Sequence, residues 1–249
     1  MKQNTFIVAN WKMNLNFNSA NDLIKSFKDK INKRKTNIIT IICPQFLLIP
    51  QISSYFENKN LNFFLGSQDI HHETSGAFTG DSSAELVREF GCKYSIIGHS
   101  ERRKNHFEDD SVIKKKIILA IKYSLIPILC VGESFEDRKN KKYLDVIYSQ
   151  LKNSIPSDLK SIIVAYEPIW SIGTGLTPKN DQIEEVAAHI NNFFIHKNIP
   201  NFNILYGGSL NPENSDEIFK LENINGGLIG GASVKKEQFI KILSNFYLD

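Results

Sequence analysis

Eight short apolar runs, rich in β-branched residues, recur along the chain and alternate with segments of helical period. They are Thr5–Ala9, Asn37–Cys43, Asn62–Gly66, Tyr94–Gly98, Ile126–Val131, Ile162–Tyr166, Asn203–Tyr206 and Gly227–Ile229. A near-continuous apolar run is the mark of a parallel strand covered on both faces. The segments between them carry the longer period. In Ile183–Phe194 the apolar positions Ile183, Val186, Ala187, Ile190 and Phe194 form one helical stripe. Val112–Lys122 and Gln238–Phe246 are apolar-rich in the same way, and Asp81 and Asn180 are predicted N-caps for the helices after them. Alternating strands and helices imply an α/β fold with a parallel sheet. Two arrangements satisfy the pattern: an open doubly wound sheet, or eight parallel strands closed into a (β/α)8 barrel with outer helices.

The chain's 249 residues, 41% of them hydrophobic, suit one domain spanning 1–249. A net charge of +3 lacks the basic stripe of a nucleic-acid binder. The basic clusters Lys33-Arg34-Lys35 and Lys114-Lys115-Lys116 fall in helical patterns and read as solvated helix faces. Cys43, Cys92 and Cys130 are scattered and odd in number, with neither a disulfide framework nor a CxxC metal spacing. His71-His72 lacks accompanying ligands, so no metal site is expected. The first apolar run is too short for a signal peptide or a membrane span. The expected location is the cytoplasm, with no membrane or nucleic-acid partner.

The polar residues choose between the two arrangements. Asn10 and Lys12 follow run 1, Gln68 and Asp69 run 3, His99 and Glu101 run 4, and Glu133 run 5. Glu167 follows run 6, Ser209 run 7, and Gly230-Gly231 run 8. All lie at carboxyl ends of strands, which ring one mouth in a closed barrel. An open sheet would not gather them around one small ligand.

Two glycine turns, Tyr206-Gly207-Gly208-Ser209 and Gly230-Gly231-Ala232-Ser233, follow the last two strands. Glycine lets backbone N–H groups approach an anion, and barrels recurrently hold phosphate at this place. A helix predicted near Ala232 would add its positive end. The segment Pro168-Ile169-Trp170-Ser171-Ile172-Gly173-Thr174-Gly175 has the composition of a lid: fixed at one end, free at the other, apolar between.

Taken together, Asn10-Trp11-Lys12-Met13-Asn14, Gly76-Ala77-Phe78-Thr79-Gly80, Ile97-Gly98-His99-Ser100-Glu101-Arg102-Arg103, Ala165-Tyr166-Glu167-Pro168-Ile169-Trp170 and the two glycine turns resemble the motifs of the triosephosphate isomerases, in that family's order. The resemblance implies a TIM barrel that interconverts dihydroxyacetone phosphate and D-glyceraldehyde 3-phosphate through an enediolate, in glycolysis and gluconeogenesis, without metal or organic cofactor. It implies Glu167 as the base, a neutral His99 polarising the carbonyl, Lys12 supplying charge, Asn10 holding substrate and Glu101 supporting Lys12 and the His99 loop. Burial under a lid is expected to make Glu167 a stronger base. Backbone groups at Gly173, Ser209, Gly230 and Gly231 would hold the phosphate. The 71–81 loop, with Phe78 and Thr79 at its tip, implies a symmetric homodimer.

Several residues depart from the commonest pattern of the family. Leu15 and Lys141 stand where glycine is frequent, Ser171 where alanine is usual, Asp69 where asparagine is common, and Leu176 and Pro178 alter the end of the lid. Asp69 is expected to place an acid near Lys12 or the dimer contact. Two rival readings are another phosphate-binding barrel isomerase and a non-catalytic barrel scaffold. The first would lack the Glu167-Pro168-Ile169-Trp170 and His99-Ser100-Glu101 segments, and the second would have lost Glu167, His99 or Lys12.

Overall fold

The computed structural model describes residues 4–30, 37–56, 62–172 and 177–247. The Lys33-Arg34-Lys35 cluster and the lid residues Gly173, Thr174, Gly175 and Leu176 lie outside the described residues.

The strands are β1 (Thr5–Asn10), β2 (Ile38–Cys43), β3 (Phe63–Ser67), β4 (Cys92–Ile97), β5 (Ile126–Val131), β6 (Ser161–Tyr166), β7 (Asn201–Tyr206) and β8 (Gly226–Ile229). Each pairs in parallel with the next, and β1 also pairs with β8, so the sheet closes into a barrel. The helices outside are α1 (Phe17–Lys30), α2 (Ile49–Ser53), α3 (Ala84–Glu89), α4 (Ser100–Asn105) and α5 (Asp110–Lys122). They continue as α6 (Phe135–Lys139), α7 (Tyr143–Ser154), α8 (Asn180–His196), α9 (Ser215–Ile218) and α10 (Lys236–Tyr247).

Strand alternation divides the core in two. Phe6, Val8, Ile41, Cys43, Tyr94, Ile96, Ile128, Cys130, Ile163, Ala165, Leu205 and Leu228 fill the barrel interior. The opposite parity, such as Ile7, Ile42, Ile97, Leu129 and Val164, packs outward against the helices. The α8 stripe read from the sequence, Ile183, Val186, Ala187, Ile190 and Phe194, is fully buried in that outer layer.

Two predicted caps are corrected. Ser83, not Asp81, caps α3, its hydroxyl accepting the Leu86 N–H at 3.2 Å. Asn180 is already helical, and the Gln182 side chain accepts the Lys179 N–H at 3.0 Å. Capping selects whichever oxygen lies two or three residues before an N–H of the first turn, and the loop, not the sequence pattern, decides that. Lys141 takes a left-handed backbone at φ 58°, so the turn that favours glycine there is kept by a lysine.

Candidate functional site

The parity that fills the barrel also builds its mouth. Phe6 and Val8 point inward, and the same face continues to Asn10, which is buried where β1 ends. On β6 the inward set Ile163 and Ala165 continues to Glu167, and on β8 Leu228 continues to Gly230. On β4 the alternation is broken deliberately. Gly98 has φ +70°, and a Cβ there would lie 2.8 Å from Ile113 Cδ1, so only glycine makes this bend. The bend brings His99 inward at the start of α4.

These residues meet in a cavity of about 530 Å³ lined by Asn10, Lys12, His99, Glu101, Glu167, Ile172, Gly207, Gly208, Ser209, Gly230 and Gly231, among others. Lys12 has a left-handed backbone (φ 51°), and its N–H donates to Asn10 Oδ1 at 3.1 Å. Gln68 Nε2 donates to the Lys12 carbonyl at 2.8 Å and to that of Cys43 at 3.0 Å, tying the first loop to β2. Lys12 Nζ donates to Glu101 Oε1 at 2.6 Å. The same ammonium lies against the second glycine turn, 3.6 Å from where a Cβ of Gly230 would be.

His99 is the N-cap of α4. Its Nδ1 accepts the Glu101 N–H at 3.2 Å, and its Nε2 is 2.9 Å from Glu167 Oε1. This pattern assigns the ring proton to Nε2, facing Glu167. Burial lowers the histidine's affinity for a second proton, but the Glu167 carboxylate outweighs burial and raises it above its ordinary value.

Glu167 needs a matching correction. Its side chain is 2% exposed, and burial does push its pKa up as expected. The charge and hydrogen bond of His99, together with the Ser100 N–H donating to Oε2 at 2.9 Å, outweigh burial. The carboxyl is thus held below its usual value, as a carboxylate parked on the start of α4.

Ser209 reaches the cavity from the first glycine turn, and its hydroxyl donates to the Ser171 carbonyl at 2.8 Å. After β8 a 3-10 turn, Gly231–Val234, stands where a helix was predicted, and α10 begins later, at Lys236. Its opening N–H groups have no partner within the turn and are available to an anion. Sequence reasoning missed Lys235, which also lines the cavity and adds a cation beside that turn, and it missed the Ser100 N–H. A backbone donor leaves no side-chain signal.

Glu133 does not enter the cavity. It is fully buried and accepts from Trp170 Nε1 at 2.8 Å and from the Tyr166 hydroxyl at 3.1 Å, holding the root of the predicted lid. Asp69 lines a second cavity together with Lys12, as expected, but its ion pairs are with other residues. It pairs with Lys116 at 2.7 Å and Arg102 at 2.9 Å. Lys116, read from sequence as part of a solvated face, is therefore buried, because a helix face that meets two carboxylates can bury a lysine. Gly173 is outside the described residues.

The family model for triosephosphate isomerase matches residues 5–246. This chain is a member of the triosephosphate isomerase family. It is 43% identical over 237 residues to the triosephosphate isomerase of Wolbachia pipientis, covering 95% of this chain and 92% of that one. It is 37% identical over 244 residues to that of Psychromonas ingrahamii, covering 95% and 96%. The solved triosephosphate isomerase of Bartonella henselae superposes with a TM-score of 0.88 at 34% identity, covering 97% of this chain and 98% of that chain.

Proposed function

We infer that the mouth interconverts dihydroxyacetone phosphate and D-glyceraldehyde 3-phosphate, with Glu167, His99, Lys12, Asn10 and Glu101 as its working side chains. The observation that carries this is the convergence of a buried carboxylate, an imidazole N–H and an ammonium beside two glycine turns. Glu167 takes a proton from the carbon next to the carbonyl and returns it to the neighbouring carbon. The His99 Nε2–H and Lys12 Nζ meet the negative charge that develops on the oxygens. Asn10 and Glu101 fix Lys12 from two sides. Ser209, Gly230 and Gly231 hold the phosphate with backbone groups, and the family resemblance adds Gly173.

A coupled assay on purified protein with dihydroxyacetone phosphate and no added metal checks the reading. Turnover is expected, and folded protein without turnover rejects it.

The protein acts as a homodimer in the cytoplasm. Support for the dimer comes from an apolar rim: Met13 (86% exposed) and Leu47 (93%) edge a second cavity beside Lys12 and Glu101. Phe78 is exposed beside Thr79, its ring centroid 4.1 Å from that of His71. Such apolar surface needs a cover. Sedimentation should give twice the chain mass for the wild type and a smaller mass for Phe78→Asp, and a monomeric wild type removes the dimer. Among the described residues, no helix is long and apolar enough to cross a membrane.

A further inference from the structure

We propose that Asp69 is a positioning residue for the isomerisation, pinning the helix that carries His99 and Glu101 through a buried ion pair with Arg102. This rests on the reading of His99 and Glu101 as working side chains.

Four charged groups from four parts of the chain meet beneath α4. Asp69 follows β3, Arg102 is on α4, Glu108 lies between α4 and α5, and Lys116 is on α5. Arg102 Nε is 2.9 Å from Asp69 Oδ2 and 2.6 Å from Glu108 Oε1. Lys116 Nζ is 2.7 Å from both Asp69 oxygens and from Glu108 Oε1. The side chains of Asp69, Glu108 and Lys116 are 9%, 6% and 3% exposed, so water screens these pairs little. Two acids balance two bases, and removing any one leaves a buried charge unpaired.

The network matters to the reaction because α4 is so short. Its six residues run from Ser100, whose N–H holds Glu167, and His99 caps it. Arg102 donates its own N–H to the His99 carbonyl at 2.8 Å. Its neighbour Arg103 anchors the helix on the other side, to the Gly98 carbonyl at 3.0 Å and to Asp110 at 2.7 Å. Two arginines thus hold one helix turn from two sides, and Asp69 is the ion-pair partner of Arg102 that follows a different barrel strand.

Asp69 is also the anchor that titrates near neutrality. Burial raises its carboxyl, Lys116 and Arg102 pull it back, Glu108 pushes it up again, and it comes to rest at about 6. Glu108 is raised by burial but lowered more by Lys116 and Arg102, and sits below its usual value. Beyond Lys116, His72 of the 71–81 loop faces the same cation and is held low by burial and by His71. Proton uptake in this network therefore falls on Asp69. Protonated Asp69 and an asparagine have nearly the same shape and the same charge. Asp69→Asn should accordingly match the wild type at pH 5 and fall behind as pH rises through 6.

The test is kcat for both proteins from pH 5 to 8. The ratio of wild type to Asp69→Asn is expected to climb from near one to about fivefold, the difference between a charged and a neutral hydrogen bond. Taking the ratio cancels the titration of substrate phosphate and of the groups both proteins share. Glu108→Gln should give a ratio to the wild type that is flat over the same range. A flat Asp69→Asn ratio, or one carried by KM alone, overturns the proposal. A wild type with no activity at any pH instead strikes the functional reading. A second measurement avoids the variants altogether. In the wild-type protein the His99 ring resonances should show a step at the pH where the Asp69 carboxyl carbon titrates, and His99 signals blind to that step overturn the coupling.

Discussion

The two walls of the barrel mouth are made of different material. The wall built by β1, β4 and β6 presents side chains: Lys12, His99, Glu101 and Glu167, each held by a bond of 3.2 Å or less to another member or to α4. The wall built by β7 and β8 presents glycine turns and the Ser209 hydroxyl. The difference follows from the two tasks. Moving a proton needs groups whose pKa and direction are set individually. Holding a phosphate needs several weak donors at fixed spacing, which a turn supplies without any ionisable group. The side-chain wall should then fail by chemistry with the fold intact, and the backbone wall by shape.

The largest expected effect is on the side-chain wall. Glu167→Gln keeps the size of the residue and removes the base, so turnover should fall about a thousandfold. Thermal stability and binding of inorganic phosphate should stay near wild type. In the same variant the carboxylate that raises His99 is gone, so the histidine pKa, followed by NMR, should drop. Turnover within a fewfold of wild type would take the base role from Glu167, and an unmoved His99 would deny the charge coupling between them.

Lys12 belongs to both walls, since its ammonium bridges Glu101 and the edge of the Gly230 turn. Lys12→Met should lower kcat/KM about a hundredfold, the scale of losing one preorganised donor to a developing oxyanion. Unlike Glu167→Gln, it should raise KM as well as lower kcat, because the phosphate side loses a cation. A defect in kcat alone would assign Lys12 wholly to the proton-moving wall.

What could be read from the sequence divides along the same line. The eight apolar runs marked the strands to within about two residues, so Asn10, Lys12 and Glu167 could be placed at their carboxyl ends. His99 was placed at a strand end in the same way, but its inward direction depends on the left-handed Gly98, which the apolar run does not show. The Asp69–Arg102–Glu108–Lys116 network was not foreseen because its members come from separate segments and share no spacing. Lys116 sits between Lys114, Lys115 and an apolar stripe, and nothing local says that its partner is a carboxylate 47 positions away. The bonds that offset burial at Glu167 were missed for the same reason. Burial is legible in a sequence, whereas a backbone N–H aimed from a distant helix start is not.

The backbone wall can be probed by two single-carbon additions that differ only in what surrounds them. A Cβ at Gly208 would lie 2.2 Å from the Tyr206 hydroxyl and 2.9 Å from Ser171 Oγ, both on buried residues. Gly208→Ala must therefore shift the turn, and KM should rise about tenfold, the cost of roughly one well-placed hydrogen bond to a charged group. At Gly231 a Cβ would meet no atom within 4 Å. Gly231→Ala should leave the melting temperature unchanged and, as Gly231 lines the cavity, raise KM by about twofold to threefold at most, less than one hydrogen bond is worth. Steady-state kinetics and thermal melts on both variants separate the cases. If Gly208→Ala lowered kcat with KM untouched, shape at this wall would be serving proton transfer, and the division between the walls would not stand.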